Sequence, residues 1–474
     1  MNQPLTTNDD VLTNLNILLA EQLNSAAKLT ATEFLELLGD GNISVTEYAA
    51  ACADISDEVE NKVNAWTWYD RARFEESARK LDAKLSAYRN GSKNNSKLPG
   101  LLYGVPTGVK DIFNTTDMPT EHGSRCFENY MPGNDARVVT NLRRQSAIMA
   151  GKTVTAEFAV HQPGATRNPR DLGRSCGTSS SGSAAAVATG MVPIALASQT
   201  AGSTIRPASY CGIYGFKPSY GLIPRTAMLK TTDTLDSVAF MARSVDDIRL
   251  MFEIEHVIGP NYPIVDKALG NPSRRSKGNR AWRVGVLQGP KSGLESRQVK
   301  NGIFQLTDAL QRDGCDVAEI QLPEQFEEAY STHELIYRKC LSYYFRMEWE
   351  KDRTLFSEKL SSMIDAGLSI PPSDYYAALK KQTVLANQFD RLMQDYDAVI
   401  CPSTADEAPV GLATPDPDDH CLIFTMCYAP SMSVPILKGS SGLPVGAQIV
   451  SRRYNDYLLL EFADYLNSLA FTPS

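Results

Sequence analysis

From Gly173 to Gly221 the chain is dominated by residues with little side chain, and this stretch limits what can be built around it. A Gly/Ser loop, Gly177-Thr178-Ser179-Ser180-Ser181-Gly182-Ser183, runs into the small-residue segment Ala184–Ala188, which reads as a tightly packed helix. A short apolar strand follows at Pro193–Ala197, and then a second small turn, Thr200-Ala201-Gly202-Ser203. Two tight turns bearing hydroxyls therefore bracket one helix and one strand. Small side chains let backbone N–H groups come close to a ligand, and a helix start adds unpaired donors and partial positive charge. Such a segment provides a place for developing negative charge. The remainder of the chain must supply a group that activates a serine.

The surroundings read as an α/β protein. Residues 11 to about 90 look helical, with an apolar stripe at Leu12, Leu15, Ile17, Leu18, Leu19 and Leu23 and a hydroxyl-capped start at Ser44-Val45-Thr46-Glu47. A polar tract at 91–97 follows. From Leu101 to about 245, short apolar segments alternate with helices, the rhythm of a sheet covered by helices. Residues 258–282 read as a loop insertion. Further strands are expected at 282–287, 398–400, 432–436 and 445–450, with an acidic helical stretch over 325–396 between them and a last helix over 454–469. The expected organisation is an N-terminal helical layer, 1–90, on one large domain, 91–474, with its core in 100–245. Its mixed β-sheet carries helices on both faces.

Composition narrows the function. A net charge of -8 disfavours nucleic acid and anionic membranes, which call for clustered Lys and Arg. The nine cysteines are scattered singly with no CxxC pair, which fits a reducing compartment. No apolar run reaches the ~18 residues of a membrane span, and the N-terminus is polar and acidic, so a cytoplasmic location is expected.

Several chemistries fail on spacing. Ala150-Gly151-Lys152-Thr153 resembles the end of a phosphate-binding loop, but Ser146 stands where its first glycine belongs. The five histidines are dispersed, with no HExxH or Cys/His cluster, so no metal is expected. Thr178 occupies the position a G-x-S-x-G elbow around Ser180 would give to glycine. What remains is the Gly/Ser block together with Lys110. Lysine acts as a base only when neutral, and burial among Val109, Ile112 and Phe113 would achieve that. On a strand, Asp111 points away from Lys110. A bridging hydroxyl would carry the proton between the amine and a serine, and the turn at 200–203 would aim N–H groups at one oxygen.

These residues resemble the amidase signature enzymes. Gly104-Val105-Pro106-Thr107-Gly108-Val109-Lys110-Asp111 is similar to the family's lysine motif, Gly177–Ala188 to its Gly/Ser motif, and Gln199–Gly221 to its nucleophile motif. The segments Ala165–Pro169 and Gly442–Gln448 resemble outlying family stretches. The resemblance implies a Ser-cisSer-Lys triad of Ser203 as nucleophile, Ser179 as the bridging serine in a cis peptide, and Lys110 as base. The separation of the two serines is the family's spacing. It also implies an oxyanion hole from the N–H groups of Thr200, Ala201, Gly202 and Ser203, and no metal or organic cofactor. The implied activity is hydrolysis of a small-molecule amide through an acyl-enzyme. Acyl transfer to an amine is the alternative, and an inactive binding subunit the rival of another class. Family location points to a substrate pocket from Tyr130, Met131, Cys176, Tyr343, Tyr344, Phe424 and Tyr428, and leaves room for a homodimer. Thr178 and Ser181 stand where the family usually has glycine. Gln199 replaces a frequent Asp, Ile205 and Arg206 depart from an Arg two residues after the serine, and Tyr428 lies near a usual glycine.

Overall fold

A computed structural model of the protein describes residues 25–91, 97–160, 164–469 and 471. The leucine stripe over 12–23 and most of the polar tract at 91–97 lie outside these residues. Its centre is an 11-stranded mixed sheet. In chain order the strands are β1 (Trp66–Tyr69), β2 (Pro106–Lys110), β3 (Ile148–Thr153), β4 (Arg167–Asn168), β5 (Asp171–Ser175), β6 (Ile194–Gln199), β7 (Tyr214–Lys217), β8 (Ser237–Ala242), β9 (Arg283–Gln288), β10 (Asp316–Gln321), β11 (Ala398–Pro402), β12 (Ser431–Lys438) and β13 (Pro444–Val450). Across the sheet they run β1-β3-β2-β6-β8-β7-β12-β13-β11-β9-β10, while β4 and β5 form a separate ribbon.

The middle strands are buried on both faces, which explains their near-continuous apolar texture: every residue of β2, β3, β6 and β8 is buried. At one edge β10 is largely exposed and correspondingly polar. The N-terminal layer is joined to the sheet, because β1 pairs antiparallel with β3. Its helices Ala31–Asp40 and Val45–Val63 start at complete capping boxes, Thr30 with Glu33 and Ser44 with Glu47. The 258–282 segment contains a helix at Pro263–Leu269 and a single 3₁₀ turn at Pro272–Arg274. No helix among the described residues is long and apolar enough to cross a membrane. All nine cysteines are free thiols.

The helix Ser181–Thr189 lies against the sheet centre with eight of its nine residues buried. Its closeness explains its composition. A Cβ on Gly182 would lie 2.3 Å from the Val154 nitrogen and 2.4 Å from the Ala65 carbonyl oxygen, so no larger residue fits. Small residues let the helix settle, and its N-terminal loop is thereby held over the end of β2.

Candidate active site

Lys110 ends β2 with its side chain completely buried. Its Nζ lies 2.5 Å from Ser179 Oγ, 2.9 Å from Ser180 Oγ and 2.9 Å from Ser198 Oγ. These polar neighbours are all hydroxyls, and among the described residues Lys110 makes no ion pair. Burial pushes its amine well below the usual lysine range, opposed in part by the negative charge of Asp236. A neutral amine has two N–H donors and one lone pair. The Ser180 hydroxyl donates to the Ser198 carbonyl at 3.3 Å, so it can only accept from Nζ. Ser179 and Ser198 are then the hydroxyls able to give a proton to the lone pair, and Ser179 is the nearer of the two.

The loop reaches this position without the cis peptide that the resemblance implied. All peptide bonds among the described residues are trans. The chain turns at Gly177, whose φ of 81° is a left-handed value suited to glycine, and the Ser179 carbonyl is held by the Thr155 hydroxyl at 3.0 Å.

The second turn, after β6, is fixed from behind. His333 Nε2 donates to the Thr200 carbonyl at 3.0 Å, the Thr425 hydroxyl to the Ala201 carbonyl at 2.8 Å, and the Arg206 N–H to the Gly202 carbonyl at 3.0 Å. Burial pushes His333 down to about 4, so its ring is neutral and donates from one nitrogen. Gln199 Oε1 accepts from the N–H groups of Thr204 and Ile205, both at 3.0 Å, and caps the helix Ile205–Cys211. An amide oxygen does here what a carboxylate would, so the departure at Gln199 leaves the turn intact. With the carbonyls engaged, the N–H groups of Ala201, Gly202 and Ser203 make no hydrogen bond among the described residues. Ser203 is half-buried and its hydroxyl is not bonded to Ser179 or Lys110. The structure therefore brings Lys110 and Ser179 into contact and leaves Ser203 free.

Two further departures meet at one carboxylate. Thr178 Oγ1 donates to Asp416 Oδ2 at 2.7 Å, and Arg206 reaches the same oxygen at 3.1 Å and Asp419 at 2.7 Å. They tie the two catalytic turns to the 415–419 loop. Between them opens a cleft of about 340 Å³, walled by Ala201, Tyr330, His333, Tyr337 and Leu422. A larger groove, about 450 Å³, lies between the ends of β9 and β11 and the helix Arg297–Arg312; Lys110, Ser179 and Ser203 line neither it nor the cleft, which meets the two turns at Thr178 and Ala201.

None of the seven pocket residues expected from family location lines this cleft. Cys176 and Phe424 are core, the latter packed on Phe389. Tyr130, Met131 and Tyr343 are exposed, and Tyr344 binds Asp233. Tyr428 adopts a φ of 61° and packs on Tyr220. The aromatic wall comes instead from His333 and Tyr337, one turn apart on the helix Ala329–Tyr344. Thr425 and His333 carried no sequence signal, since their partners lie 224 and 133 positions away.

Residues 47–460 match the family model described as Amidase. The chain is 32% identical to the A subunit of glutamyl-tRNA(Gln) amidotransferase from Symbiobacterium thermophilum, over 92% of this chain and 95% of the relative. It is 29% identical to the protein of the same name from Heliobacterium modesticaldum, over 92% and 95%. Among solved structures, an amidase superposes with a TM-score of 0.81 at 25% identity, covering 93% of this chain and 99% of the other. The corresponding amidotransferase protein of Thermotoga maritima gives 0.72 at 24%, covering 93% and 94%, a likeness of fold.

Proposed function

The chain belongs to the amidase family, and on that premise we propose that it cleaves a carbon–nitrogen amide bond through an acyl-enzyme on Ser203. The observation that carries this reading is the buried, unpaired Lys110 amine set 2.5 Å from Ser179. As Ser203 attacks the carbonyl, its proton passes to Ser179 and that of Ser179 to Lys110. The oxygen turning anionic is received by the free N–H groups of Ala201, Gly202 and Ser203, with Thr200 at the head of the turn. The protons then return through Ser179 to the leaving nitrogen, and water releases the acid. The Ser203–Ser179 contact closes when substrate is bound, as catalytic hydrogen bonds commonly do.

The relatives favour one finer reading. Proteins named as part of an amidotransferase match over nine-tenths of this chain, which supports nitrogen transfer over free-standing hydrolysis. On this reading the substrate is a primary amide, the released nitrogen passes to an acceptor, and a protein partner completes the assembly. The compartment is cytosolic, in keeping with nine unpaired thiols.

A fluorophosphonate probe tests the core of the proposal: it labels the parent and not Ser203→Ala. Undiminished labelling of that variant removes Ser203 as nucleophile, and no labelling of either leaves a binding protein without turnover. Ammonia release from glutamine and simple primary amides, with hydroxylamine as competing acceptor, separates the two readings. Hydroxamate reports the acyl-enzyme on either reading; ammonia release confined to glutamine supports the transferase role, and turnover confined to secondary amides sinks it.

A further inference from the structure

Beside the proposed relay lies a buried carboxylate that the steps above leave idle. Asp236 precedes β8, and because Gln199 faces Ser237 in the antiparallel β6–β8 ladder, Asp236 lies alongside Thr200. It is 3% exposed and forms no ion pair among the described residues. Its Oδ1 accepts from the hydroxyls of Thr200 at 2.8 Å, Thr231 at 2.7 Å and Thr232 at 2.9 Å. Its Oδ2 accepts from the N–H groups of Thr231 at 2.7 Å and Thr232 at 3.0 Å. Five donors on neutral residues converge on this carboxylate, and among the described residues no basic side chain pairs with it.

We propose that Asp236 is a positioning residue of this site, fixing Thr200 at the head of the oxyanion turn and supplying the counter-charge for the ammonium that Lys110 becomes. The proposal rests on the reading of Lys110 as base. Accepting a proton turns a buried neutral amine into a buried cation, which is costly unless an anion is near. Asp111, next in sequence, is committed to Lys152 at 2.8 Å. Ser179, Ser180 and Ser198 offer hydroxyls only. From the helix Ala329–Tyr344 come the neutral His333 and the buried Tyr337. Arg225 binds the Asp236 backbone carbonyl at 3.2 Å and forms no ion pair with its carboxylate. Lys110 holds the Ser198 hydroxyl at 2.9 Å and Asp236 accepts from the hydroxyl of Thr200, two residues on, at 2.8 Å, so amine and carboxylate flank the end of one strand.

The test is Asp236→Asn, which keeps the shape. The amide oxygen takes the two N–H groups, and the amide nitrogen donates to the threonine hydroxyls. Expected are a kcat at least tenfold lower, KM within twofold, and an acid limb of kcat/KM displaced to lower pH, because without the anion the amine stays neutral further down. Thr200→Val lowers kcat with the limb in place. A limb unmoved in Asp236→Asn, or kcat within threefold of the parent, overturns the proposal. If melting shows the Asn variant unfolded, Asp236→Glu decides: it keeps the charge and must keep the limb, and a displaced limb there overturns the proposal. Lys110→Ala with parental turnover would remove the relay itself, a different failure from an inert Asp236→Asn.

Discussion

Two lysines on neighbouring strands show what this sheet does to an amine. Lys110 on β2 and Lys152 on β3 are both completely buried, and the strands run parallel with Val109 facing Lys152. Alternation then places Val109, Lys152 and Asp111 on one face and Lys110 on the other. Lys152 finds Asp111 at 2.8 Å, the Thr120 hydroxyl at 2.7 Å and the Pro119 carbonyl at 3.0 Å. Burial pulls its amine down, and the charge of Asp111 opposes that pull. Lys110 meets only hydroxyls and falls much further. One strand step decides whether a buried lysine meets a carboxylate or only hydroxyls.

The comparison breaks first at the nucleophile. Ser203→Ala removes the covalent route, and turnover should fall by ~10⁴-fold or more with folding unchanged, read by amide turnover and melting temperature. Lys110→Ala follows, with an expected loss of about 10²–10⁴-fold in kcat, the usual worth of a general base. A rate within threefold of the parent would make Lys110 as structural as Lys152. The pH profile sharpens the point. A lysine that must be neutral loses activity as pH falls through its own pKa. Both His122 and His333 are pushed down to about 4, while burial brings Lys217 to about 7, so a limb well above 4 is assigned to Lys110 by its loss in Lys110→Ala and its persistence in Lys217→Met.

Lys152 should fail differently. Lys152→Met strands the Asp111 carboxylate in the core, a change that typically costs about 3–5 kcal/mol of stability. Melting should show a large drop, while fluorophosphonate labelling of the folded fraction persists. Adding Asp111→Leu removes the stranded charge and should restore much of the loss. If Lys152→Met instead abolishes labelling without destabilising the fold, the two lysines are not divided as the strand alternation requires.

Most of the catalytic centre was legible because it is local and made of small residues. Gly182 admits no Cβ, and the loop it anchors puts Ser179 on Lys110. The central strands were legible as apolar runs, and β12 and β13 fall where 432–436 and 445–450 were expected. The strand β1 was hidden inside a helical layer, since four residues carry too short a pattern to read. The expected cis peptide was carried by family resemblance and by nothing in the residues themselves. In the expected pocket helix Tyr343 is 76% exposed, while His333 and Tyr337, at i and i+4, turn inward to the cleft. Asp236, His333 and Thr425 were unreadable because their contacts with the 200–203 turn, at the Thr200 hydroxyl and the Thr200 and Ala201 carbonyls, span 36, 133 and 224 positions.

The smallest effect tests that unread layer. The Thr425 hydroxyl accepts from Gln199 Nε2 at 3.1 Å and donates to the Ala201 carbonyl at 2.8 Å, joining the cap of the nucleophile helix to the back of the oxyanion turn. Thr425→Val keeps the volume and removes both bonds. A buried carbonyl left without its donor costs about 1–3 kcal/mol, and part of that should appear as a turn less well aimed at the transition state. We expect kcat lower by about threefold to tenfold, with KM and the acid limb unchanged, since neither lysine is touched. A shifted limb would mean that the turn and the amine are coupled through Gln199, and the separation of the base from the oxyanion support would have to be redrawn.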